Sequence, residues 1–192
     1  MAHVDARLGL GSTPRLQRVW MLPWAEDMLA SAIVASRPEG TSEATLSAEV
    51  EADGGRLADD ALIAAQLRAG DADGALAGCS ARHARLENEG RIRAYWIVEE
   101  MKIRAVLARG RFADARQAAD AALAVETALG WRWLEWRLRA SRATALAGLG
   151  DHLAEAERTV ARDLLMAIAK TLSQASARER FLSQPTATAL FA

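Results

Sequence analysis

From residue 57 onward, apolar side chains recur at intervals of three and four residues, the spacing of one face of a helix. Residues 91–109 carry Ile92, Trp96, Ile103, Val106 and Leu107 on this spacing, and residues 112–129 carry Phe112, Ala115, Ala119, Ala122 and Leu129. The pattern predicts three helix pairs: 57–69 with 72–89, 91–109 with 112–129, and 131–149 with 152–172. A last short helix, 176–183, carries Phe181 and Leu182 and is expected to stop at Pro185. The front of the chain is less regular. Residues 1–15 read as loose or partly helical. A helix over 24–36 opens after Pro23 with Met28, Leu29, Ala32 and Ile33 on one face. Residues 37–42 have turn chemistry, and a weak acidic helix over 43–52 is broken by Gly54 and Gly55.

The helical segments repeat on a fixed step. Gly70, Gly110 and Gly150 are 40 residues apart, and Gly90 and Gly130 sit midway with the same separation. Trp96 is answered by Trp136, and Ala65 by Ala105 and Ala145. Glycine accepts the left-handed conformation just past a helix end without a Cβ clash, so each of the first three is expected to close one helix. Asp71 and Asp151 follow two of them and are placed to cap the next helix; Arg111 stands at the middle turn instead. The expected fold is all-α, made of antiparallel helix-pair repeats of about 40 residues joined by short turns. It divides into an irregular segment or degenerate capping repeat (1–56), three helix pairs (57–175), and a capping helix with a tail (176–192).

Composition agrees with helix: four prolines, 5% aromatics and almost no β-branched runs. Net charge is −1, which gives no global reason to bind nucleic acid. The charge is unevenly placed, at −6 over residues 1–90, +5 over 91–150 and zero over the rest. The plain reading is solvated faces; the functional one is a basic patch that meets an acidic partner or the chain's own acidic half. Cys79 is the single cysteine, so no disulfide forms within one chain, and its small-residue neighbours fit a core position. No secretory pattern opens the chain, and the most apolar stretch, 19–35, is broken by Pro23, Glu26 and Asp27. A cytoplasmic protein with no membrane partner is expected.

Motifs of chemistry are missing from the sequence. Gly9, Gly11, Ser12 and Thr13 lack the lysine and the preceding strand of a phosphate-binding loop. His3, His83 and His152 are far apart and no second cysteine exists, so neither a metal nor a cofactor is expected. The adjacent pairs Asp59–Asp60 and Glu99–Glu100 do not face each other on a helix and read as solvated surface. Trp131, Trp133 and Trp136 crowd one helix start. Trp136 reads as a filler between layers, and Trp133, beside Arg132 and Arg137, as part of a protein interface. Stacking on single-stranded nucleic acid is disfavoured, because the chain is not basic.

The step from Gly70 to Ala75 and from Gly110 to Ala115, with Ala122 seven further on and Ala65, Ala105 and Ala145 five before the turn glycines, resembles the tetratricopeptide repeat. The chain departs from it in a period of 40 against the family's usual length of about 34. It also has Ile63, Ile103 and Ala143 where a small residue is expected mid-helix, and one extra residue after Gly150, so that Ala156 falls late. The start 129–137 and the ending 177–185 are further similar to the C-terminal repeat regions of large bacterial signalling ATPases and nucleotide cyclases. The resemblance implies an α-solenoid that scaffolds or senses by holding a protein or peptide, without catalysis, in a regulatory system; self-association is a further possibility. It places a concave groove along Ile97, Glu100 and Arg104, then Arg137, Ala140 and Thr144, with Trp133 beside it. Glu100 and Arg104 do not supply the Lys and Asn of the family's carboxylate clamp, which disfavours chaperone tails. The rival reading is a helical enzyme or small-molecule-binding domain with a pocket inside the array.

Overall fold

The computed structural model describes residues 56–89, 92–129 and 132–191. The helices expected at 24–36 and 43–52, the midway glycines Gly90 and Gly130, and Trp131 lie outside the described residues. Every regular element among the described residues is a helix. In chain order they are α1 (Arg56–Ala69), α2 (Ala72–Glu89), α3 (Ile92–Ala108), α4 (Phe112–Leu129), α5 (Arg132–Gly148), α6 (Ala154–Thr171), α7 (Ala175–Leu182) and α8 (Pro185–Thr188). None of the described helices is long and apolar enough to cross a membrane. The described residues fall into two compact units, the first up to Gly78 and the second from Cys79, with the division inside α2.

Three turns end α1, α3 and α5 in the same way. Gly70, Gly110 and Gly150 have φ of +77°, +70° and +70°. In each turn the glycine N–H donates three residues back, and the next N–H donates five back. Thus Gly110 reaches Leu107 O (2.9 Å) and Arg111 reaches Val106 O (3.2 Å), while Gly150 and Asp151 reach Ala147 O and Leu146 O. This paired closure satisfies carbonyls that a helix end leaves open. A Cβ at Gly110 would meet nothing within 4 Å. Gly110→Ala should therefore cost only the left-handed backbone strain, about 1–2 kcal/mol, read as a lower urea midpoint with an unchanged slope.

The residue after each glycine starts the next helix differently. Asp71 Oδ1 accepts the Gly74 N–H at 2.8 Å, and Asp151 Oδ1 accepts the Leu153 N–H at 3.0 Å. Arg111 cannot cap; its guanidinium instead holds Asp114 of the first turn, Nε to Oδ2 at 2.7 Å. After Gly150 the helix starts late, at Ala154. The delay is two residues rather than the single one expected. Ala156 is exposed, and Glu157, Ala161 and Leu165 occupy the buried positions held in α4 by Ala115, Ala119 and Leu123. Pro185 also does more than stop a helix: it is the first residue of α8, where its missing N–H costs nothing.

In the first unit, Ile63, Ala64, Ala65 and Ala75 are buried. A Cβ on Gly78 would lie 2.8 Å from Ile63 Cγ1, so α1 and the start of α2 approach too closely there for a larger residue. The second unit has a core between α3, α4 and α5, built from Ile103, Ala115, Ala119, Ala122, Leu123, Leu134, Leu138 and Ala145. Another lies between α5, α6 and the C-terminal segment, built from Trp136, Ala161, Leu165, Ala187 and Leu190. Cys79 is a buried small residue. Helix α5 thus serves two cores and has little free face, as a helix flanked on both sides must. Trp133 packs half-buried on the first core and Trp136 in the second, so the two do not form one aromatic face. Phe181 meets Trp136 edge-on at 6.0 Å.

Small residues fix the helix spacing. A Cβ on Gly148 would stand 2.5 Å from the Phe112 ring. Gly148→Ala should destabilise by about 1–3 kcal/mol through this clash, against the gain of about 1 kcal/mol that Ala brings to a helix. Thermal melting of the pair Gly148→Ala and Phe112→Leu checks the cause, since the smaller partner should restore much of the loss.

Candidate functional site

Helix α5 presents Arg137, Ala140, Ser141 and Thr144 at successive turns of one stripe. Arg104 and Leu107 of α3, Arg158 of α6, and Thr186, Ala189 and Leu190 of the C-terminal segment complete the wall of a cavity of about 130 Å³. Arg137 is only 5% exposed and Glu100 only 1%. Arg137 Nη1 lies 3.7 Å and Arg104 Nη1 3.9 Å from Glu100 Oε2. These are charge contacts beyond hydrogen-bond length, and neither Glu100 oxygen has a hydrogen-bond partner. Arg137 Nη2 donates to Gln184 Oε1 at 2.9 Å, and its guanidinium lies 5.3 Å from the centroid of the Trp136 ring. Gln184 is the residue just before α8, so this bond ties the C-terminal segment to α5.

Of the residues expected in an open groove, the structure brings Glu100, Arg104, Arg137, Ala140 and Thr144 together. Exposure is the correction. Thr144 is exposed, but Glu100 and Arg137 are buried, Arg104 is about a fifth exposed, and Ile97 and Trp133 are half-buried. Ile97 and Trp133 are not among the residues that line the cavity. The segment from Gln184 to Leu190 covers part of the expected groove, and no spacing in the sequence announces that. Nor are the acidic pairs simply solvated. Asp60 is buried. Glu99 and Glu100 point to different partners, Glu99 to Lys102 (3.2 Å) and His83 (3.5 Å), Glu100 to the two arginines.

Ser141, Arg158, Thr186 and Gln184 were not legible as site residues. Ser141 stands one turn after Arg137 and could have been found from that spacing. The others reach the site only through tertiary packing.

Four other arginines of the middle segment, Arg111, Arg116, Arg139 and Arg142, are engaged inside the second unit. Glu157 takes Arg139 at 3.1 Å and Arg142 at 2.9 Å; Arg142 also takes Asp120 at 2.6 Å, and Arg139 takes Glu135 at 2.8 Å. Burial pulls the Arg139 and Arg142 guanidiniums down, and these carboxylates more than offset it, holding both above the ordinary arginine value. The network explains how an acidic residue stands where the earlier repeat has Ala115.

His83 stacks on Tyr95, with ring centroids 4.3 Å apart, and its Nε2 lies 3.2 Å from the Tyr95 carbonyl oxygen. Burial lowers its pKa, opposed by Glu99 and the Tyr95 carbonyl. The folded state therefore binds this proton less readily than the unfolded chain. The stability is whole above the ordinary imidazole value of about 6.5 and is lost as pH falls through the lower folded value. Urea unfolding should show a lower midpoint at about pH 5.5 than at about pH 7.5, and His83→Gln should shrink that difference.

Among the described residues no three His, Cys, Asp or Glu side chains cluster as metal ligands do. Comparison with protein-family models, curated proteins and solved structures gives no match.

Proposed function

We propose that the chain is a non-catalytic, tetratricopeptide-like module: an α-solenoid of antiparallel helix pairs that holds a protein or peptide partner. One observation carries the reading. Three helix ends 40 residues apart close with the same glycine turn, and the small residues flanking them (Ala65, Ala75, Ala105, Ala115, Ala145) are buried in each repeat. An array of this kind offers extended binding surface and few deep clefts. The partner surface runs along α3 and α5 through Ile97, Arg104 and Thr144, next to the segment that closes on Arg137. Buried Glu100 and Arg137 support this surface from beneath, and half-buried Trp133 braces α5. We place the module in the cytoplasm, in a regulatory system of the bacterial signalling or transcription type that the sequence resembles, with no cofactor and no nucleic-acid role.

Charge at Arg104 gives the partner contact a salt dependence, since such contacts act through steering and are screened by ions. The test is a pull-down from the native cell with wild type and with Arg104→Glu combined with Thr144→Trp, at low and raised salt. Partners should fall away in the variant and with salt, while circular dichroism stays that of an all-helical protein. Equal recovery by both proteins would move the contact to another face. The purified chain should hydrolyse neither ATP nor GTP; turnover that survives repurification would replace this reading with an enzyme.

A further inference from the structure

We propose that the cavity between α3, α5, α6 and the C-terminal segment is a binding site for a small oxyanion of the phosphate class, free or as the phosphoryl group of a small metabolite. The site stands whether or not the array also holds a protein partner.

Charge is the first ground. Arg104, Arg137 and Arg158 converge on one cavity from three different helices. Against them stand buried Glu100, which is not among the lining residues, and Glu155, which lies 3.8 Å from Arg158 and is itself 69% exposed. Among the described residues, three guanidiniums face one buried and one solvated carboxylate at the cavity, a balance of one positive charge. A wall of Leu107, Ala140, Ala189 and Leu190 lowers the local polarity and strengthens any charge contact made there.

Unused donors are the second. Arg104 Nη1 is buried and has no hydrogen-bond partner, its charge contact with Glu100 Oε2 at 3.9 Å being too long for one. Among the described residues neither the Ser141 nor the Thr186 hydroxyl is engaged by a protein group, although both line the cavity. Thr144 is different, because its hydroxyl already donates to Ala140 O at 3.0 Å. A native fold leaves few buried donors unmet, and those it leaves call for a partner. Arginine forks and hydroxyls together are the donor set that suits a phosphoryl group, and they are present in the fixed arrangement that packed helices impose.

Size is the third. About 130 Å³ is well below the roughly 300–1,000 Å³ of pockets for drug-sized ligands. That is room for a tetrahedral oxyanion, with the mouth open to solvent.

The experiment measures binding of inorganic phosphate to the full chain by calorimetry and by thermal shift, in chloride buffers of matched ionic strength. Parallel arms contain glycerol phosphate and acetate. Wild type should show a saturable response and a higher Tm with inorganic phosphate or glycerol phosphate, and the preferred one names the source. Arg158→Ala should weaken it at least about tenfold, the loss of one charge-assisted contact. Thr186→Glu should abolish it by placing a carboxylate at the rim, without touching the buried Arg137–Glu100 pair. Lys170→Ala, on an exposed position of α6, should bind as wild type. No saturable response beyond chloride, equal binding of acetate, or unchanged binding by folded Arg158→Ala and Thr186→Glu would each overturn the assignment.

Discussion

Ala105→Trp should unfold the second unit well below the wild-type melting temperature. Ala105 has no exposed surface, on the last full turn of α3 before Gly110. Its counterpart Ala145 lies in the core shared by α3, α4 and α5. Packed interiors have no void for an indole, so the added volume must push helices apart or force strained rotamers. Overpacking of one or more methylenes costs about 1–3 kcal/mol, and an indole in place of a methyl lies at the top of that range or beyond. For a protein of this size each kcal/mol moves Tm by about 2–4 °C, so a fall of about 10 °C is expected. Differential scanning calorimetry is the check. An unchanged Tm would mean that the helix register is wrong and that position 105 faces solvent.

Arg137→Ala should be nearly as damaging, for an electrostatic reason. Removing the guanidinium strands the Glu100 carboxylate in a buried place with Arg104, at 3.9 Å, as its remaining cation among the described residues, and leaves Gln184 Oε1 without its donor. Breaking one side of a buried ion pair costs about 3–5 kcal/mol, and the remaining Arg104 contact puts this case near the lower end. The double variant Glu100→Leu with Arg137→Met should recover most of the loss, because replacing both charges with apolar groups avoids the unpaired one. A double-mutant cycle in urea measures the coupling. A cycle that sums to the two single losses would show that the pair contributes nothing beyond packing.

These two variants also mark where sequence reasoning was strong and where it was not. Ala105 could be placed by counting: it is five residues before a turn glycine, and Ala65 and Ala145 hold the same station. Local chemistry sufficed, since a glycine at φ +70° ends a helix wherever it stands. Arg137 could be assigned to the right stripe but not to the right environment. Its neighbours along the chain are Trp136 and Leu138, which say nothing of a carboxylate on α3 or an amide before α8. The same limit hid the offset in α6. Reading small residues as core placed Ala156 inside, whereas Glu157 is the buried one, because Arg139 and Arg142 from α5 neutralise it.

From residue 56 onward, the sequence by itself determined the six long helices, to within two residues at the start of α6, and the three glycine turns between them. Those depend on backbone propensity, on capping within a few residues, and on the period at which apolar groups recur, all of which are local. Tertiary structure alone decided which charges are buried and which face solvent, because a guanidinium enters a core only when a partner from a distant helix meets it. It also decided that the C-terminal segment folds back across α5. That closure turns an expected open groove into a small cavity lined by three arginines: Ala187 and Leu190 pack into the core around Trp136, and Gln184 accepts from Arg137 across 47 residues of chain.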